Sequence, residues 1–285
     1  MNIPKELFKY RDFGKYSVLS LLNKGLWIPK PSQLNDPFDA QLKLSKSDVN
    51  SKQFKEALSH FMSSSLNSKE EVLDPEFIDS LFINGKPNDY LKDKVNQFCR
   101  FWDETSDSVG ILSLSEDPIS TTMWSHYGDE HKGICLGYDP EILAPESPNG
   151  AGDWLRKVTY KNEIDIVRNA YLLFAMTGMS NCHYSLMELF YRMLSTKSSD
   201  WEYEKEWRFL CPDIGGCVYK LNIDAITSVT FGLRTTVETK TAVGHLLRYH
   251  KKPTQFYQVI RSEHTVGLER VRMIDNKKYW YQPYE

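Results

Sequence analysis

One stretch restricts this chain more than any other: Trp201-Glu202-Tyr203-Glu204-Lys205-Glu206-Trp207-Arg208-Phe209-Leu210. It follows a helical segment and ends at Cys211-Pro212, which predicts entry into a strand. Alternate residues of a strand share a face. Glu204, Glu206 and Arg208 then point one way, and Tyr203, Lys205, Trp207 and Phe209 the other. Adjacent carboxylates repel and raise one pKa, while an arginine holds at least one of them ionised. Two readings stay open on the pattern alone. The strand is a solvent-facing edge with its charges on the wet side, or it turns a charged constellation inward for a chemical task.

The 285 residues, 41% hydrophobic and 13% aromatic, supply ample core for one large domain or two small ones. A net charge of -3 gives no bulk attraction to nucleic acid or membrane. The five cysteines (Cys99, Cys135, Cys182, Cys211, Cys217) form no CxxC pair, which reads as a reduced, cytoplasmic protein. His126 and His131 lack the HExxH arrangement, and no His/Cys spacing suggests a metal. The N-terminus carries no apolar signal region, and the longest apolar run, 170–179, is too short to span a bilayer.

In chain order, Leu7 to Arg11 is a first strand, 17–23 a helix stopped by Lys24-Gly25, and Leu26 to Pro29 a second strand. Asn35-Asp36-Pro37-Phe38-Asp39 forms a turn, because Asn and Asp side chains bond their own backbone. Residues 51–107 read as an all-helical insertion with no chemical motif. Strands follow at 109–115, 133–138 and 154–160, with a helix at 119–127 capped by Ser120 or Thr121. The stretch 164–195 is helical. Strands at 217–221, 226–231, 256–261 and 268–273 and a helix at 237–249 complete a single α+β domain over 1–285, with a mixed, largely antiparallel sheet. No GxGxxG, GxxxxGK[ST] or GxSxG motif is present. Cys135 reads as a buried small hydrophobe, and Arg248, His250, Lys251 and Lys252 as a solvated helix end.

Three stretches together resemble one bacterial family, called domain of unknown function 2971. They are Leu26 to Asp39 with Asn35-Asp36-Pro37-Phe38, Met123-Trp124-Ser125-His126-Tyr127 with His131-Lys132-Gly133, and Trp201 to Arg208. The layout also resembles, more distantly, the ADP-ribosyltransferase fold. In that fold an early strand carries an Arg, His or Tyr near NAD, a later strand carries Ser or Tyr, and a late strand carries the catalytic Glu, often as Glu-x-Glu. The resemblance aligns Tyr10-Arg11, Ser113 and Ser115, and Glu204-Lys205-Glu206 with these elements. It implies an intracellular enzyme with NAD as substrate, a transferase of the toxin or phage-defence kind modifying a macromolecule. Glu206 would stabilise oxocarbenium character as the nicotinamide–ribose bond breaks, and Glu204 would orient or deprotonate the acceptor. Arg11 would pair with phosphates, and Tyr10, Trp124 or Tyr127 would stack on nicotinamide. For Trp124 and Tyr127, core packing is the simpler reading. Arg11, one of the two serines and Glu206 should line one cleft.

Two other functions remain. One is a non-catalytic protein- or nucleic-acid-binding module, its aromatic surface and helical insertion serving recognition. The other is a hydrolase or nuclease using Glu204 and Glu206 with a metal, disfavoured by the lack of an Asp/His cluster.

Overall fold

A computed structural model of the chain describes residues 2–40, 52, 56, 75–143, 154–162, 190–247 and 253–273. The elements in order are β1 (Leu7–Arg11), α1 (Lys15–Asn23), β2 (Gly25–Ile28), α2 (Pro75–Ser80), β3 (Phe82–Ile83), β4 (Lys86–Pro87), α3 (Asp89–Ser106), β5 (Gly110–Ser115) and α4 (Thr121–Tyr127). They continue with β6 (Ile134–Tyr138), α5 (Pro140–Leu143), β7 (Leu155–Lys157), β8 (Thr159–Tyr160), β9 (Thr196–Lys197), β10 (Glu206–Cys211), β11 (Cys217–Lys220), β12 (Ile226–Phe231), α6 (Val237–Leu247), β13 (Gln255–Arg261) and β14 (Leu268–Arg272). Short 3-10 turns occupy Pro31–Gln33, Ser199–Glu204 and Ile223–Ala225.

Eight strands form one sheet in the order β14-β13-β12-β6-β1-β5-β10-β7. Its pairings are antiparallel except β12 with β13. The α+β, largely antiparallel expectation therefore holds. Strand alternation divides the side chains between two cores. Leu7, Leu112, Leu114, Leu136, Trp207 and Phe209 cluster with Leu21 of α1, Leu26 and Ile28 of β2, and Val243 of α6. On the other face Phe8, Tyr10 and Cys135 pack with Met123 and Trp124 of α4. Burying both faces explains why the central strands lack a clean polar alternation.

β10 runs between β5 and β7. It is no edge strand, and its charged side chains Glu206 and Arg208 are buried, 2% and 0% exposed. β1 and β5, by contrast, share only the registered pair Phe8↔Ser115. Beyond it the strands fork. The Ile111 amide donates to Pro29 O at 2.9 Å, and the Lys9 ammonium spans the gap to Ser113 O, also 2.9 Å.

The described part of the 51–107 insertion adds a two-stranded hairpin, β3 with β4, to the expected helices. α3 starts where the Asn88 side chain accepts from the Leu91 amide, and it buries Leu91, Val95, Phe98 and Trp102 along one stripe. The apolar face expected at 54–61, most of the 164–195 helix and the basic cluster at 248–252 lie outside the described residues.

Candidate functional site

The strand expected through Tyr203 begins only at Glu206. Ser199–Glu204 is a 3-10 turn, started where the Ser198 hydroxyl accepts from the Asp200 amide. It ends at Lys205, held left-handed at φ 45°. Glu204 and Glu206 are therefore not alternate residues of one strand. The left-handed residue turns the chain so that both carboxylates reach the same ammonium: Lys197 Nζ lies 2.5 Å from Glu204 Oε2 and 3.2 Å from Glu206 Oε2. Ser115 fixes this turn by donating its hydroxyl to Glu204 O at 2.7 Å.

Arg208 is fully buried and uses all five of its N–H donors. Nε donates to Glu206 Oε1 at 2.8 Å and Nη2 to Glu206 Oε2 at 3.0 Å. Asp39 receives Nη1 at 2.9 Å and Nη2 at 2.6 Å, and Leu194 O takes the remaining Nη1 proton at 2.7 Å. Lys197 also stands 3.6 Å from Asp39. Three carboxylates and two cations thus form one buried cluster, arranged bidentately as a guanidinium favours.

The two glutamates ionise in opposite directions. Burial alone would raise Glu206; the Arg208 charge and its hydrogen bonds, then Lys197 and a Ser113 hydrogen bond, outweigh it and hold Glu206 at about 2. Glu204 lacks the arginine. Burial and the charge of Glu206 raise its pKa despite Lys197 and a 2.7 Å bond from the Tyr127 hydroxyl. Burial would lower Lys197, but Glu206, Glu204 and Asp39 keep it above its ordinary value.

A cavity of about 260 Å³ opens in the fork, walled by Ser113, Ser115, Tyr10, Tyr127, Glu204 and Glu206 among others. A larger cleft of about 1050 Å³ adjoins it and contains Arg11, Tyr16, Trp27 and Val218. Both share Lys9, Tyr10, Pro29 and Tyr127. The single cleft expected for Arg11, the serines and Glu206 is therefore two. Phe8 stands opposite Ser115, and Ser115 opposite Glu206, so Lys9 and Arg11, each an odd number of residues from Phe8, face the other side of the sheet. At the fork Lys9 still reaches the inner cavity, whereas Arg11, farther along β1, lies only in the outer cleft. Trp124 lines neither. It is buried edge-on against Tyr10, with Nε1 donating to Pro118 O. The Tyr10 hydroxyl is spent on Asp117 O at 2.5 Å.

The sequence does not mark Asp39, Lys197 and Lys9 as site residues. Asp39 ends the Asn-Asp-Pro-Phe-Asp turn, which held the only available signal. The two lysines stand in no recognisable spacing with the glutamates. Among the described residues, no group of three His, Cys, Asp or Glu is arranged to hold a metal. The Lys197 ammonium instead occupies the point where Asp39, Glu204 and Glu206 converge.

Residues 123–209 match the model of a family described as Protein of unknown function (DUF2971). The match takes in Tyr127, Lys197, both glutamates and Arg208, and leaves β1, β5 and Asp39 outside. No curated protein and no solved structure matches the chain.

Proposed function

We propose that the protein is an NAD-consuming enzyme of the ADP-ribosyltransferase type, acting in the cytoplasm on a macromolecule as a toxin or phage-defence effector. One observation carries the reading. β1, β5 and β10 lie side by side in the sheet, bringing Tyr10, the serines and the glutamate pair to one forked cavity. This is the order the resemblance calls for. When the C1′–N bond breaks, its electron pair leaves with nicotinamide, and positive charge develops on the ribose. Glu206, kept ionised by Arg208 and Lys197, faces that charge as a preorganised anion. The acceptor then bonds C1′ and gives its proton to Glu204, whose raised pKa makes it the better base of the two. Arg11 serves the outer cleft, where the remainder of a dinucleotide would lie.

The alternative, a non-catalytic protein- or nucleic-acid-binding module, draws on the same outer cleft. Tyr16, Trp27 and Val218 there are 82%, 48% and 67% exposed, an apolar lining suited to recognition. Nicotinamide release and label transfer from NAD in cell extract separate the two. Wild type should transfer label, Glu206→Gln should not, and Glu204→Gln should hydrolyse NAD slowly without transfer. No NAD binding or turnover by wild type, with extract supplying acceptors and triggers, would leave the binding module standing.

A further inference from the structure

Lys9 is the cation that lines both cavities, at the neck where the two strands fork. Its position is unusual for a lysine beside two glutamates. Lys197 and Arg208 already occupy those carboxylates, so among the described residues Lys9 forms no salt bridge and donates only to a carbonyl, Ser113 O. Two of its three ammonium protons remain to be used. Arg11 follows two residues later on the same strand face, roughly 6–7 Å along the strand. It too has no salt bridge among the described residues, and its buried Nε has no hydrogen-bond partner. Two like charges held next to each other, with unspent donors and a cleft in front of them, lack an anionic partner among the described residues.

We propose that Lys9, with Arg11 beside it, forms an anion subsite at the neck that takes the diphosphate of a nucleotide. The subsite deepens the NAD reading and rests on it for the choice of nucleotide, yet its binding chemistry does not require turnover. The groups facing Lys9 set its response to pH. Burial and the charge of Arg11 lower its pKa, Glu206 on β10 and Glu204 on the 3-10 turn oppose them, and the balance lies at about 7. Tyr127 of α4, Asp39 and Lys197 share the inner cavity, and Asp12, His126 and Asp129 the outer cleft. A charged Lys9 binds a diphosphate, whereas a neutral one must first take up a proton. Affinity should therefore fall as pH rises above neutrality, by no more than the charged Lys9 contributes.

Calorimetry with ADP-ribose, inorganic pyrophosphate and adenosine tests this on wild type, Lys9→Met, Lys9→Arg and His126→Gln. ADP-ribose is the main probe because its diphosphate does not titrate between weakly acidic and alkaline pH. Lys9→Met should weaken ADP-ribose binding roughly 10–100-fold near pH 6, the scale of one charge-assisted hydrogen bond, and should leave adenosine unaffected. Lys9→Arg should restore binding and abolish the pH dependence; His126→Gln should keep that dependence. Pyrophosphate binding lost in Lys9→Met would show that phosphate alone suffices, and binding of ADP-ribose only would assign the subsite to nucleotides. Wild-type ADP-ribose affinity in Lys9→Met, equal loss of adenosine, or a pH profile that follows His126 would overturn the proposal. If Lys9→Met does not fold, the pH profiles of wild type and Lys9→Arg decide. ADP-ribose binding without NAD turnover would remove the catalytic reading and keep the subsite. NAD turnover by Lys9→Met at the wild-type KM would do the reverse.

Discussion

Glu206 and Glu204 stand two residues apart and differ in one neighbour that matters, the Arg208 guanidinium. Glu206→Gln keeps the shape of the side chain and removes its charge. If that charge acts in the transition state, nicotinamide release should slow by ~10²–10³-fold, the scale of a preorganised electrostatic group. NAD affinity should change far less, since such a group lowers turnover rather than binding. Robust transfer by the variant would take Glu206 out of the mechanism. The same substitution has a signature in stability. The pKa of Glu206 is depressed from the ordinary 4.5 to about 2 in the fold, so its contribution is complete above 4.5 and disappears as pH falls towards 2. The stability gap between wild type and Glu206→Gln, followed by urea denaturation, should narrow across that window. A gap independent of pH would mean that the carboxylate is not held ionised by Arg208.

β10 carries two roles on its two faces, and the core face is the easier to test. Trp207 is buried against the leucine-rich face, with Nε1 donating to Glu116 Oε1 at 2.6 Å. Trp207→Ala should destabilise by ~3–5 kcal/mol, as large aromatic truncations in a core do. A near-neutral urea midpoint would contradict the observed register. Alternation alone placed Trp207 and Phe209 inward, because a period of two is a local property of the backbone. The start of the strand was not legible in the same way. Nothing in Tyr203-Glu204-Lys205 marks a left-handed residue, a conformation that favours glycine or asparagine, so the turn before Glu206 reads as strand in the sequence. The fork between β1 and β5 was hidden for a related reason. Strand pairing is long-range, and no residue within Leu7–Arg11 reports that its neighbour diverges after one pair. The order of the site-bearing strands along the chain was readable; the faces they present to each other required the register.

At the scale of the whole molecule, the buried charges act as a clasp. Asp39 closes the turn after β2, whereas Lys197 on β9, Glu204 before β10, and Glu206 and Arg208 on β10 lie within one stretch, so the cluster joins two segments distant in sequence. Removing one partner of such a cluster leaves a buried charge without compensation. Asp39→Ala takes away two of the five Arg208 hydrogen bonds and should cost ~3–5 kcal/mol. Arg208→Met should cost a similar amount, since it leaves Asp39 and Glu206 with only Lys197 between them. The double variant is the informative one. It removes one negative and one positive charge together, so the net charge of the cluster, three carboxylates against two cations, stays the same. Much of each single penalty is the isolation of the remaining partner, and that term vanishes when both are gone. Asp39→Ala with Arg208→Met should therefore be less destabilised than the sum of the two singles, with a coupling on the order of 0.5–3 kcal/mol. Chemical denaturation of the four proteins closes the cycle. Strict additivity would mean that Asp39 and Arg208 do not stabilise each other, and that the turn after β2 is held against β10 by its packing alone.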